Sequence, residues 1–203
     1  MTKAPAATSD TALGYDRISR AVHWLVAALA VIVISLGWAI GGTPRNTPTR
    51  DLVLLLHRLV GLIILAVMVF RAGWRWVHPA PPLPPSLMPV ERALARSTQI
   101  ILYLLFILMP VAGLVNAAAA GHSVSFFGIL SIPPPMPEND RLSQAAIAVH
   151  LVGQYLVYLF VALHVAGALR HGVVKRDGVL DRMMPRRRVG GPQPSARTRL
   201  SRV

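Results

Sequence analysis

Four histidines lie in long apolar runs, where an ionisable side chain is costly to keep: His23, His57, His150 and His164. The last two close the segment HLVGQYLVYLFVALH, fourteen residues apart. Fourteen residues of α-helix turn through about 1400°, which leaves the two imidazoles about 40° apart on one face. Along the axis they are separated by roughly 21 Å. That distance fits within a hydrocarbon core about 30 Å thick. One spanning helix therefore offers two imidazoles to the same side at two depths. Two flat metal cofactors stacked across a membrane would need that arrangement.

Imidazole suits haem iron, zinc and copper. Zinc takes three or four protein ligands, and no carboxylate or thiolate accompanies these histidines. Haem supplies four ligands of its own and leaves two axial positions for the protein. The chain has no cysteine. Disulfides, thiolate iron–sulfur clusters, Cys-type zinc sites and covalent c-type haem attachment are thereby excluded.

The elements that must position these residues are membrane helices. Of 203 residues, 54% are hydrophobic and only 14% are charged. A soluble domain of this size could not cover so much apolar surface. The net charge of +13 collects at the termini and in one loop, as the basic edges of a membrane protein would. Nucleic-acid binding is set aside, because apolar runs occupy most of the chain. Spans are predicted over about 21–40, 52–70, 98–118 and 142–169. The first run is too long, and lacks a small-residue cleavage pattern, to be a signal peptide. The fourth exceeds the length needed, so it would tilt or project into water.

Between the spans, 78–89 (HPAPPLPPSLMP) reads as a proline loop. Pro110 should kink the third span. Residues 121–141 are too broken by Gly and Pro to span; Phe126, Phe127, Ile129 and Leu130 would lie along a membrane surface. Residues 1–13 read as a disordered N-terminal tail, 14–186 as one four-helix transmembrane domain and 187–203 as a basic disordered C-terminal tail.

Lys and Arg are concentrated before the first span, in the 71–97 loop and after the fourth span. The positive-inside rule makes that side cytoplasmic, with both termini on it. Each histidine then acquires a depth. His23 and His164 lie near the inside, and His57 and His150 near the outside. No other pairing keeps both partners at one level. The expectation is a bis-histidine haem at each level. Gly61, Gly153 and Gly167, three or four residues after candidate ligands, would either make room for a flat ring or serve helix packing. Arg71, fourteen after His57, and Arg20, three before His23, are candidates to pair with the propionates of the inner haem; snorkelling to the cytoplasmic interface accounts for them equally well. Arg58 beside His57 is unusual on the outer side, where it would pair with an outer-haem propionate or attract an anion. His171 would handle protons or contact a quinone, or simply sit in solvent. His78 and His122 fall in loops without an assigned role.

At these residues the chain resembles the bacterial cytochrome b561 family. The resemblance spans about residues 14–186. It rests on Tyr15-Asp16-Arg17 before His23-Trp24, His57 opening the second span, the PPxPP loop, LLFILMPVAG (Leu104 to Gly113), His150 to His164, and the closing DGVLDRMMPR. It implies an all-α transmembrane four-helix bundle with two b-type haems bound between the helices. His23, His57, His150 and His164 occupy the family's ligand positions. It further implies an inner-membrane location and electron transfer between a periplasmic donor and the membrane quinone pool. Superoxide:ubiquinone oxidoreductase activity is one form that transfer takes. Lipid, quinone and a periplasmic donor are the expected partners, and a homodimer is compatible. Two rivals stay open on the residues alone: a haem-bearing anchor subunit of a dehydrogenase or hydrogenase, and a non-redox transporter whose histidines relay protons.

Overall fold

A computed structural model describes residues 14–83, 87–126 and 130–184. The predicted tails, 1–13 and 187–203, lie outside the described residues, as do Phe127 and Ile129. Four helices dominate: α1 Arg17–Gly42, α2 Pro48–Val77, α3 Pro89–Ala119 and α4 Asp140–Leu169. Each contains one of the apolar runs and extends beyond it. All four are long and apolar enough to cross a membrane.

Local chemistry sets the boundaries. Asp16 caps α1, accepting from the Ser19 N–H at 2.8 Å and the Ser19 hydroxyl at 2.5 Å. Thr47 caps α2 ahead of Pro48, whose missing N–H costs nothing in a first turn. Pro89 opens α3, and Glu91 reaches back to the Met88 N–H at 3.2 Å. Asn139 caps α4 through the Leu142 N–H at 3.0 Å. Pro110 lies within α3 without ending it. The fourth helix does project further than a span requires: a six-residue π-helix, Arg170–Lys175, continues it.

The α3–α4 connection carries an element not expected from its sequence. Val124–Phe126 (β1) pairs antiparallel with Leu130–Ile132 (β2). The Gly and Pro residues that rule out a span leave room for a hairpin.

Contacts between the start of one helix and the end of its neighbour, His23 with Arg71 and Ser143 with Asn116, show α1 against α2 and α3 against α4 running antiparallel. Backbones pack α1 on α2, α2 on α3 and α3 on α4, whereas α4 makes only sparse backbone contact with α1 and α2. A small core of Val26, Ala30, Ile64, Met68, Phe106 and Val157 joins the four helices. Ile64 is only 1% exposed, yet Val31 is 67% and Val152 65% exposed. An apolar exterior of this kind is what lipid covers. The fold is a four-helix transmembrane bundle whose fourth helix is held off the first two.

Candidate haem sites between the helices

The histidines meet across that gap. The His23 and His164 rings lie with centroids 6.0 Å apart and planes at 68°. The His57 and His150 rings also lie 6.0 Å apart, at 71°. The two pairs are those expected from depth. Nitrogens bound about 2 Å from a shared metal on opposed rings put the ring centres about 6 Å apart. The spacing therefore fits one metal ion per pair.

Neighbouring groups orient the rings. His150 Nδ1 lies 2.9 Å from the Met109 carbonyl oxygen of α3. A carbonyl only accepts, so Nδ1 carries the proton and Nε2 keeps its lone pair for a metal. His57 Nδ1 is buried and, among the described residues, has no hydrogen-bond partner. A Cβ on Gly37 would sit 3.6 Å from His57 Cε1, and one on Gly113 would sit 3.6 Å from His150 Cε1. These two glycines face the outer pair at van der Waals distance, and sequence spacing did not single them out.

The three glycines that spacing did single out divide. Among the described residues, no neighbouring atom lies within 4 Å of a Cβ built on Gly61 or Gly167, so each faces open space. A Cβ on Gly153 would collide with Met109 Sδ, so Gly153 is a packing notch and not room for a ring.

Arg71 and Arg20 part company. Arg71 donates from Nε to the Tyr103 hydroxyl at 2.9 Å, and its Nη2 lies 3.4 Å from His23 Nδ1. Its Nη1 is buried without a partner among the described residues. A buried, unsatisfied guanidinium N–H beside the inner pair suits an anionic group such as a propionate. Arg20 instead donates to the Met184 carbonyl at 3.2 Å.

That contact belongs to a wider clamp at the inner end. The Trp24 indole N–H donates to the Met183 carbonyl at 2.9 Å, the Tyr15 N–H to the Arg182 carbonyl at 3.4 Å, and Arg182 to the Pro82 carbonyl at 2.6 Å. Residues 177–184 thus strap the start of α1 to the proline loop. The strap is anchored through His171, whose Nδ1 lies 2.6 Å from the Asp177 carboxylate. Asp177 is held below the usual carboxylate range: burial pushes it up, and the bonds from His171 and the Val179 N–H outweigh that. His78 ends α2 with its ring stacked on Trp74, centroids 4.0 Å apart.

Comparison with known proteins follows the same residues. A family model for prokaryotic cytochrome b561 matches residues 14–186. The probable superoxide oxidase CybB of Yersinia pestis is 32% identical, the alignment covering 86% of this chain and 97% of that protein. Cytochrome b561 homolog 2 of Escherichia coli K12 is 29% identical over 87% of this chain and 94% of its own length. Cytochrome b562 of Cereibacter sphaeroides is 26% identical, with 84% and 95% covered. The matched stretch takes in all four helices, both histidine pairs and the strap, and the chain belongs to the prokaryotic cytochrome b561 family, bacterial multi-pass membrane cytochromes of electron transport.

Proposed function

We propose that this cytochrome conducts electrons between a donor on the periplasmic side and the membrane quinone pool. The observation that carries the reading is the pair of imidazole gaps, each 6.0 Å, at two levels of one bundle. Two b haems, when bound, supply the one-electron chemistry. His57 and His150 would hold the outer one, and His23 and His164 the inner. The Met109 carbonyl keeps His150 in the tautomer that can ligate. Arg71, braced by Tyr103, offers a positive charge to the inner group. The four histidines are half-buried between the helices, so burial and hydrogen bonds would tune the potentials. The excess of Lys and Arg at one end of the bundle supports an orientation with both termini in the cytoplasm of a bacterium whose inner membrane holds the protein.

The activity we propose is oxidation of superoxide with reduction of ubiquinone. It is supported by the printed name of the Yersinia pestis relative and by the alignment's reach over nearly all of that protein. The test is optical and kinetic. The reduced protein should show low-spin b-type bands with two haems per chain, and superoxide should reduce added ubiquinone analogue only when the cytochrome is present. A colourless preparation sinks the haem assignment. A coloured one inert towards superoxide sinks the activity and leaves the cytochrome.

A further inference from the structure

Arg58 is an exposed charge on an otherwise apolar stretch of α2. It follows His57 directly and lies ten residues, about 15 Å, beyond the start of α2. Among the described residues, no carboxylate pairs with it and no hydrogen bond engages its guanidinium. An unpaired cation within an apolar span marks a candidate functional site unless something else accounts for it. Orientation does not, because the outer end is the side on which the positive-inside rule disfavours Arg.

The surroundings supply a second observation. Arg58 lines a cleft of about 210 Å³ together with Asp51, Leu54 and Leu62 of α2 and with His122 and Ser123, which follow α3. His122 and Ser123 are exposed, so the cleft communicates with the outer surface. At roughly 30 Å³ per water, it has room for a small ion and a few waters.

We propose that this cleft binds a small monovalent anion. The guanidinium offers a planar fork of N–H donors. The His122 ring and the Ser123 hydroxyl can add a donor each. Leucines on α2 lower the local dielectric and strengthen the attraction. Asp51 opposes excess negative charge, which disfavours phosphate and other dianions and leaves chloride, nitrate, bicarbonate or superoxide as the fitting class. Arg58 follows His57 directly, which ties the cleft to the end of the bundle that holds the outer histidine pair. On the proposed function, which this last step rests on, an anionic donor and inert anions would compete for one entrance.

Chloride itself is the probe. The full chain, loaded with haem in lipid nanodiscs, should broaden the ³⁵Cl magnetic-resonance line, and added nitrate should reverse the broadening. Arg58→Leu should remove at least nine-tenths of the nitrate-reversible broadening. Arg58→Lys should retain part of it, and Arg45→Leu, at the same end but outside the cleft, all of it. Asp51→Asn should tighten chloride binding several-fold. Wild-type broadening in Arg58→Leu, or none in the wild type, overturns the site. Haem content is read separately from absorbance. A chain that binds chloride without haem refutes the electron-transfer reading alone, and a di-haem chain blind to chloride refutes the anion site alone.

Discussion

His150 is fastened to Met109 across the α3–α4 seam, its ring N–H donating to the main-chain oxygen at 2.9 Å. Met109 is held in turn by Gly153, three residues after His150 on α4, whose missing side chain accommodates the thioether. Gly153→Ala drives a methyl into Met109 Sδ. Overpacking of this kind costs ~1–3 kcal/mol, and here it also disturbs the carbonyl that orients a ligand. The variant should melt at a lower temperature and shift the potential of the outer haem, leaving the inner one unmoved. Combining it with Met109→Ala should cost less than the sum of the two singles, because the methyl then fills vacated space. Strict additivity, or equal shifts in both potentials, would refute the linkage. The checks are a thermal melt followed at the haem absorbance and a redox titration.

Arg71 invites a second substitution. Its Nη1 is buried and unpartnered beside His23, and Tyr103 braces its Nε. A positive charge near a redox group favours the reduced, more negative state. Arg71→Leu should therefore lower the inner haem's potential, by tens of millivolts at about 59 mV per 1.4 kcal/mol for one electron, and weaken its retention. Arg71→Lys should fall between, since it keeps the charge without the fork. Arg20→Leu should leave both potentials in place, because Arg20 is directed to Met184 in the strap. A potential unmoved in Arg71→Leu would reduce Arg71 to an interfacial anchor.

These contacts mark how far the residues could be read unaided. The four helices were legible because each apolar run is long enough to cross a bilayer. The partnership of His57 with His150, and of His23 with His164, was legible because fourteen residues on one helix fix two depths. The Met109 carbonyl was not, since a backbone acceptor on another helix has no residue type to betray it. Gly37 and Gly113 sit on helices other than those bearing the rings they touch, so no local spacing points to them. The strap was visible only as the motif DGVLDRMMPR. Its hold on Tyr15, Trp24 and Pro82 joins opposite ends of the chain. The paired strands, Val124–Phe126 and Leu130–Ile132, are only three residues each, and the Gly and Pro residues of the 121–141 connection signal irregularity more strongly than pairing.

The strap should respond to acid. Asp177 is held low, the bonds from His171 and the Val179 N–H outweighing the upward push of burial. Asp16 is held low in the same way: burial pushes it up, and bonds from Ser19, Trp74 and Ile18 outweigh it. A lowered carboxylate contributes stability that is present above its unfolded value, near 4, and is lost as pH falls through the folded value. Hydrogen-exchange protection of residues 170–184 should therefore hold from pH 7 to about 4.5 and fall below that. Asp177→Asn should show weak protection throughout. Loss already by pH 6 would implicate a histidine instead, and full protection at pH 3 would remove the carboxylates from the anchor.

Orientation can be read with reporters. The basic approach to α1, the loop between α2 and α3, and the tail after α4 all share one side if four spans alternate. A green fluorescent protein fused after Val203 should fluoresce, and alkaline phosphatase at the same point should stay inactive. Active phosphatase would place the C-terminus outside and exchange the inner and outer histidine pairs.

The pairing itself is best tested with double variants. Each single alanine at His23, His57, His150 or His164 should remove about half the haem, since each ring spacing fits one metal ion. Singles cannot tell which histidines share a haem. Doubles can, because two losses within one pair empty one site and two losses across pairs empty both. His57→Ala with His150→Ala should retain about one haem per chain, as should His23→Ala with His164→Ala. His23→Ala with His57→Ala, and His150→Ala with His164→Ala, should retain none. Pyridine haemochrome content per chain, measured in detergent beside a melting curve, reads the outcome. Retention of one haem in either cross-pair double would show that a ligand is shared differently, and the depth argument that joins α4 to both α1 and α2 would fail with it.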